Sequence, residues 1–524
     1  MLDQISRLKK AITENLRVQA GGAEMVSYID TTDALPQVSS RQNHVIFARR
    51  GCGKTLLLHT SEKMLPAKRI TVYLNCEDYK NHSFPNILIE ILDQIFSEIE
   101  SKISGIPWGK HRKARNIIAG VREELGKLRT APDERHTSIK ETTQHSNSDS
   151  SNLKTGLSAH GASLVSLDVG SETAAKAEIE KQYEVNDSKI EKLNLMLPRL
   201  KKAMNDFFSV YTGKVDNIFL QIDDFYHIQR EIQPYVIDYI HRFCKDIPVF
   251  FKLATLKHAS TLYLERKGQP IGVQERHDYQ PIDIDFTFQD FQKTEGQVKE
   301  IFYKFGELAE MTHDQIDKLF KGDGFRRLIL AGGGVPRDCL SLFLEALENA
   351  KRNADGRISK DEIRNLSFST IERRIQELKN DSQDDEQNPL IRGIYAIRKF
   401  CTDSKHNIFV VAERLLQENE RVQRLIYKLL EYRIIHSVGS AFTNKSRSGT
   451  FDAFMIDVGC YANFRKLYGK MEEIDLSEKS SKEKIRSAPV LSEETLLAAW
   501  SDAPEDAEKE MLDEEKGAMG AVQS

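Results

Sequence analysis

Short apolar runs bounded by polar turns recur along the first 290 positions and alternate with stretches of helical spacing. Val45 to Phe47, Ile70 to Leu74, Asn217 to Phe225, Val249 to Ala254 and Ile282 to Phe286 are the runs. Their length and their β-branched and aromatic content predict strands buried in a sheet. Between them, Leu56, Leu57, Leu58 and Met64 mark one packed helical face, and Leu88, Leu92, Ile95, Ile99 and Ile103 a longer one within Ser83 to Ile103. Lys189 to Tyr211 and Arg230 to Cys244 add two more amphipathic helices. Strand and helix in alternation predict an α/β fold with a parallel sheet.

Beyond position 295 the strand pattern gives way to helices, broken by Lys321-Gly-Asp-Gly and by Ala331 to Asp338, AGGGVPRD. A polar linker is expected over Asn380 to Pro389. After it, Ile391 to Cys401, Phe409 to Leu416 and Glu420 to Ile435 are expected as three helices. Two strands follow, about Ile434 to Val438 and Phe451 to Ile456. Helix, helix, helix, hairpin is the winged-helix plan. The expected organisation is a core over 1–290, a helical lid over 291–379, a winged helix over 390–470 and an acidic, disordered tail over 471–524. An amphipathic helix and connector occupy 1–42. An insertion over about 106–187 interrupts the core: its basic, helix-prone start reads as a solvated helical face ahead of a nucleic-acid contact, its polar centre as partly disordered, and Gly156 to Val169 as a hairpin.

The turn after the first strand carries the chemistry. Ala48-Arg-Arg-Gly-Cys-Gly-Lys-Thr55 fits G-x-x-x-x-G-K-[ST], with Ala48 in place of the first glycine. Backbone N–H groups of such a loop cradle phosphates, the lysine reaches the outer ones and the hydroxyl holds Mg²⁺. Gly51, Cys52, Gly53, Lys54, Thr55 and Leu56 are therefore the candidate ATP contacts. Ala cannot take positive φ as cheaply as Gly, so a relaxed loop is expected there. The run NIFLQIDDF ends in paired carboxylates, the form of a Walker B strand; Asp223 is the candidate metal residue with Thr55, and Asp224 the candidate that orients the attacking water. Arg337 lies in the first turn of a helix, where a cation opposes the dipole. A nucleotide phosphate would account for it, which places Arg337 with Lys54 and Asp224 in the catalytic set.

Charge changes the picture mainly at the C-terminal end. The net charge is −4, yet residues 471–524 hold fifteen acids and six bases, while residues 390–470 hold fourteen Lys or Arg against seven Asp or Glu. A basic module of winged-helix pattern favours double-stranded DNA as its partner. Arg421, Arg424 and Lys428 on the third helix and Lys445 and Arg447 at the hairpin tip are the candidate DNA contacts. The six cysteines show no C-x-x-C pair and read as reduced thiols, with Cys52 weighed as an oxidation-sensitive position in the loop. No apolar run approaches the roughly eighteen residues that span a bilayer. The N-terminal stretch carries acids and reads as neither signal nor transit sequence, so a cytoplasmic location is expected.

Taken in order, the Ala48–Thr55 loop, the Asp223-Asp224 strand, the GGGVPRD segment and the basic C-terminal module resemble the origin-recognition-type and STAND ATPases within or near the AAA+ group. The resemblance covers about residues 40–105, 187–370 and 390–465. It implies an additional-strand (ASCE) P-loop ATPase, AAA+-like, with a parallel sheet of order 5-1-4-3-2, a helical lid bearing a second sensor, and a winged-helix domain. The additional strand of that class presents a polar residue to the γ-phosphate, and Thr255 and Lys252 are the candidates. An arginine from a neighbouring subunit, Arg266 or Arg276, is a candidate finger. Three positions depart from the pattern: Ala48, Asp224 where many members carry Glu, and the absence of an obvious first-sensor Asn. The shorter acid implies slow hydrolysis. The expected function is an ATP-binding, ATP-hydrolysing molecular switch with Mg²⁺ as cofactor, which binds DNA and acts as a homo-oligomer or with an effector protein, in phage defence or mobile-element biology. The alternative is a signalling or scaffold ATPase whose winged helix and insertion bind protein.

Overall fold

The computed structural model describes residues 2–16, 26–65, 68–103, 109–131, 187–265, 269–350, 356–381, 384–461, 471–478 and 480–497. Helix α1 (Leu2–Asn15) is followed by the short α2 (Ala34–Val38). The Asp30 carboxylate holds the start of α2, accepting from the backbone N–H groups of Ala34 (2.9 Å) and Leu35 (2.8 Å). Strand β1 (His44–Phe47) runs into α3 (Lys54–Met64); β2 (Arg69–Asn75) into α4 (Asn86–Ser101), α5 (Lys110–Thr130) and α6 (Asp187–Val210); and β3 (Asn217–Asp223) into α7 (Gln233–Cys244). After β4 (Val249–Thr255), a small hairpin of β5 (Tyr263–Leu264) and β6 (Ile271–Gly272) precedes β7 (Gln280–Asp283).

The main sheet runs β2-β3-β4-β1-β7 with every pair parallel. Counting its five strands in chain order gives the 5-1-4-3-2 arrangement that the resemblance implied. Side chains of a strand alternate between faces. Val45, Phe47, Leu220, Ile222, Phe251 and Leu253 accordingly enter the core shared with α4, α5, α6 and α7, whereas Ile46, Ala254 and Ile282 pack with α2 and α3. With Ile218, Leu220 and Ile222 committed to the first face, Gln221 and Asp223 must stand on the α3 side. Gln221 confirms it by donating to the Leu58 carbonyl (2.9 Å).

The start of the expected insertion is part of this core. Helix α5 buries Ala114, Ile118, Val121, Leu125 and Leu128, and two of its bases are paired with acids of α4: Arg122 with Asp93 (3.1 Å) and Glu100 (2.7 Å), and Arg129 with Glu90 (2.8 Å). The expected hairpin over 156–169 lies outside the described residues.

A helical layer follows: α8 (Phe291–Leu308), α9 (His313–Asp317), α10 (Gly324–Ala331), α11 (Pro336–Ala350) and α12 (Lys360–Asp381). Leu8 and Ile12 of α1 pack here with Phe302, Phe305 and Phe343, so the N-terminal helix belongs to this core and not to that of the sheet.

The last module departs from its expected pattern. Positions 384–389, expected as linker, are helical within α13 (Asp384–Ser404). The run expected as a second helix splits into β8 (Ile408–Ala412) and α14 (Glu413–Glu418), and α15 (Glu420–Glu431), β9 (Ile435–Thr443) and β10 (Thr450–Ile456) complete the unit. A short apolar run suits strand or helix equally in sequence; pairing of Phe409 with Phe454 decides for strand. The β8-β10-β9 sheet has two buried faces. Phe409, Val411 and Phe454 meet α13 and α15, while Ile408, Val410 and Met455 enter the core of the preceding helical layer. The acidic segment expected to be disordered packs on this sheet from 471 to 497. Its helices α16 (Ser481–Ile485) and α17 (Glu493–Leu497) bury Ile485 and Leu496, and Val490 bridges to Val410.

Candidate functional site

The phosphate loop leaves β1 at the C-terminal edge of the sheet. Gly51 and Gly53 take φ of 90° and 91°, while Ala48 is absent from the described non-glycine residues with positive φ. The alanine therefore needs no relaxed geometry: its position does not require the conformation that only glycine adopts cheaply. A Cβ on Gly51 would lie 2.9 Å from Val335 and 3.0 Å from Cβ of Arg337, so the loop and the start of α11 are in direct contact. The Arg337 N–H also donates to the Gly51 carbonyl (3.4 Å). Arg49 fastens the loop from its other side. Its guanidinium donates to both oxygens of Asp285, with Nε to Oδ2 at 2.8 Å and Nη2 to Oδ1 at 2.9 Å.

Lys54 and the two acids meet inside this frame. The Lys54 Nζ donates to the carbonyls of Ala48 (2.9 Å) and Arg49 (3.2 Å), bridging the loop. Burial pushes its ammonium below its ordinary value, with Asp224 and Asp223 acting in the opposite direction. Thr55 Oγ1 donates to Asp223 Oδ2 (2.6 Å), and the Tyr73 hydroxyl reaches the same oxygen (2.9 Å). Burial, then the neighbouring Asp224, raises the Asp223 carboxyl. A hydroxyl joined to a buried carboxylate is a donor set of hard oxygens, which fits a magnesium ion. Asp224 begins the turn after β3 with φ of 50°, its backbone N–H donating to Asp223 Oδ1 (2.9 Å). The Tyr226 hydroxyl interacts with both Asp224 and Arg50, and the Arg50 guanidinium lies 5.0 Å from the centre of the Tyr226 ring.

Two cavities flank the loop. One, of about 110 Å³, is mainly apolar and is lined by Tyr28, Ile29, Leu56, Ile301, Phe305 and Arg337, together with Gly51, Cys52 and Gly53. The other, of about 600 Å³, lies beyond Arg50 and Tyr226 and is roofed by α15.

The remaining expected residues divide between the two edges of the sheet, Thr255 at the edge of the phosphate loop and Lys252 toward the other. Lys252 is fully buried in mid-strand, and its Nζ donates to the carbonyls of Ser40 (2.6 Å) and Gln42 (2.6 Å), which precede β1 at the opposite edge of the sheet. It is not a phosphate contact. Thr255 ends β4 opposite Phe47, with its hydroxyl engaged by Ser260. Cys52 is buried against Asp285, and burial raises its thiol, which removes the thiolate that oxidation needs. Arg276 stands before β7 with a side chain 81% exposed, at the edge remote from its own phosphate loop; Arg266 lies outside the described residues.

The expected DNA contacts are separated. Arg424 and Lys428 line the 600 Å³ cavity. Arg421, on the same helix, is half-buried, and Arg447 is exposed at the hairpin tip. The Lys445 ammonium is paired with Glu483 of α16 (2.6 Å).

Sequence reasoning missed a buried ionic network behind Arg337. Asp338 pairs with Arg374 (2.9 Å) and Arg433 (3.3 Å), Arg374 also pairs with Asp457 (2.8 Å), and His436 bonds Asp457 (2.8 Å). Burial pushes the Asp338 carboxyl up, but Arg433 and Arg374 more than reverse it and hold it below the usual carboxylate range. Gly333, with φ of 65°, is needed here because a Cβ would come within 2.6 Å of His436. A signal was present: Arg374 falls between Ile371 and Leu378 on the inward side of α12.

A parallel sheet with a phosphate loop after its first strand, paired acids after its third, and a helical layer bringing an arginine to the loop defines a P-loop ATPase fold of the AAA+ type, here followed by a winged helix. The family model ORC-CDC6-like matches residues 25–428, and the chain belongs to that family. Membership points to an ATP-binding, DNA-associated protein and to ATPase activity in general. Comparison with curated proteins finds no match. Among solved structures, a chain of Drosophila ORC bound to DNA is 12% identical with a TM-score of 0.30, covering 88% of this chain and 98% of that one. Cdc6p from Pyrobaculum aerophilum is 12% identical with a TM-score of 0.30, covering 82% and 92%. The Aeropyrum pernix Orc1 protein in complex with DNA is also 12% identical with a TM-score of 0.30, covering 89% and 92%. No helix among the described residues is long and apolar enough to cross a membrane.

Proposed function

We propose that the chain is an ATP-dependent switch that binds ATP between the phosphate loop and the helical layer, hydrolyses it slowly, and binds duplex DNA through its winged helix. The convergence of Lys54, Thr55, Asp223 and Asp224 at one edge of the sheet, with Arg337 touching Gly51, supports this most strongly. The apolar cavity beside Leu56 and Phe305 suits the base, and the linker that carries Tyr28 and Ile29 forms one of its walls. Thr55 and Asp223 would hold magnesium. When bound, that ion neutralises charge on the β- and γ-phosphates. Lys54 and Arg337 bind phosphate oxygens, and Asp224 orients the attacking water and accepts its proton.

Equilibrium binding and steady-state turnover test the reading. Lys54→Ala is expected to lose ATP binding, and Asp224→Asn to keep binding while turnover falls by about 100-fold or more, the range for removing a positioned base. Equal turnover in both variants and the wild type would contradict the site. The second reading, a scaffold ATPase whose winged helix binds protein, is favoured by one observation: Arg424 and Lys428 face the ATPase body. It predicts no affinity for duplex DNA in any nucleotide state.

A further inference from the structure

The 600 Å³ cavity is larger than a γ-phosphate requires, and the switch proposed above does not account for its roof. That roof is one face of α15. Arg424, Tyr427, Lys428 and Glu431 follow the i, i+3, i+4, i+7 spacing of a single helix face. The opposite face, Val422, Leu425, Ile426 and Leu429, is fully buried in the winged helix. Arg50, Tyr226, Arg230 and His258 stand across the cavity from α15. The two sides meet where the Tyr427 ring stacks on His258 with centroids 4.0 Å apart, and where Arg433 Nη1 donates to the Arg50 carbonyl (3.4 Å).

Glu431 is the informative member of the face. Its Oε1 is sealed from solvent and has no hydrogen-bond partner among the described residues. Burial pushes its carboxyl up to about 7, against the lowering effect of Lys428, Arg50, Arg230 and Lys54. An acid thus stands in the field of the phosphate-loop lysine and of the loop's own arginine, the side on which the end of a triphosphate would emerge. Negative charge added there by a third phosphate is repelled by Glu431, whereas a diphosphate adds none. A ligand shifts a conformational equilibrium only by its differential affinity for the two states, and this contact supplies such a difference between ATP and ADP.

We propose that Glu431 discriminates tri- from diphosphate: in the closed form its carboxylate takes the place of a γ-phosphate in the field of Lys54 and Arg50, so ATP but not ADP drives α15 from the ATPase body and frees Arg424 and Lys428 for duplex DNA. The inference rests on the switch reading. The winged-helix sheet shares its core with α8, α10 and α11, not with the main sheet, so the release is a turn of this unit about the Arg337–Gly51 contact, which stays in place.

The test uses the full chain, with ATPγS and ADP affinities from calorimetry and duplex binding from fluorescence anisotropy in each nucleotide. Glu431→Gln is expected to raise ATPγS affinity about tenfold, within the usual range of coupling between sites, to leave ADP affinity within about twofold, and to make DNA affinity independent of nucleotide. Glu431→Asp is expected to keep the wild-type pattern, and unchanged ADP affinity shows that each variant is folded. An unaltered ratio of ATPγS to ADP affinity in Glu431→Gln overturns the inference alone. A wild-type chain that binds neither nucleotide overturns the switch reading and this inference with it. If no form binds DNA, the release of Arg424 and Lys428 to duplex DNA is overturned together with the DNA-binding reading.

Discussion

At the scale of single residues, the site separates groups that touch nucleotide from groups that hold them in place. Ala48 shows how a departure from a motif is absorbed: the loop spends its positive φ at Gly51 and Gly53, so Ala48→Gly is expected to leave ATP affinity unchanged. It should cost up to about 1 kcal/mol in a denaturant melt, through the freedom it gives the unfolded chain. Arg374 is the opposite case, a buried cation with two carboxylate partners. Removing it leaves Asp338 with Arg433 alone and Asp457 with His436 alone, so Arg374→Ala is expected to lose about 3–5 kcal/mol of stability, the usual cost of breaking a buried pair. Asp338 adds a pH signature. Its folded value lies below the unfolded 3.8, so its stabilisation is present above pH 3.8 and is lost as the pH falls through the lower, folded value. The stability gap between wild type and Asp338→Asn should therefore hold from pH 6 down to about 3.8 and close as the pH falls further; a gap that widens in acid would contradict the assignment. Lys54 and Thr55 were legible from the spacing within one loop, and Asp223 from a carboxylate pair that ends an apolar run. Asp338 and Arg374 were not, because their partners come from positions far apart in sequence.

At the scale of elements, four strands of the main sheet were legible from their apolar runs, while the fifth is Gln280–Asp283 where Ile282 to Phe286 was expected, and the alternation of faces fixed Asp223 beside α3. The errors share a cause. Residues 384–389 and 471–497 are polar or acidic enough to resemble linker and tail; the first continue a helix whose buried residues begin at Leu390, and the second carry a few apolar side chains that only tertiary packing reveals. In the C-terminal segment, Ile474, Ile485, Leu491 and Leu496 are buried. Each such side chain contributes roughly 1.5–3 kcal/mol on burial, so truncation after position 470 is expected to lower the melting temperature clearly, by calorimetry. An unchanged melt would show that this segment does not hold the winged helix. Likewise α5 is a core element: Leu125→Ala is expected to cost about 2–5 kcal/mol, which a solvated helix would not.

At the scale of the whole molecule, two bodies face each other across the nucleotide site. The sheet with α2 to α7 forms one, and α1, the helical layer, the winged helix and the C-terminal segment form the other. Arg337 and the Asp338 network connect the phosphate loop to the second body, while α15 closes the far side of the loop. Under the proposed switch, nucleotide in this cleft sets the angle between the bodies, and Arg424 and Lys428, which line the cavity against the ATPase body, are the contacts to be released. The family assignment brings DNA into the same picture, since a covered face has to be released before it can meet phosphates. The most direct test is anisotropy of a labelled duplex titrated with full-length protein in ATPγS, in ADP, and with Lys54→Ala, across a salt series. The account predicts tight, salt-sensitive binding in ATPγS alone, with weak binding in ADP and in the variant; equal affinity in all three, or none in any, would contradict it.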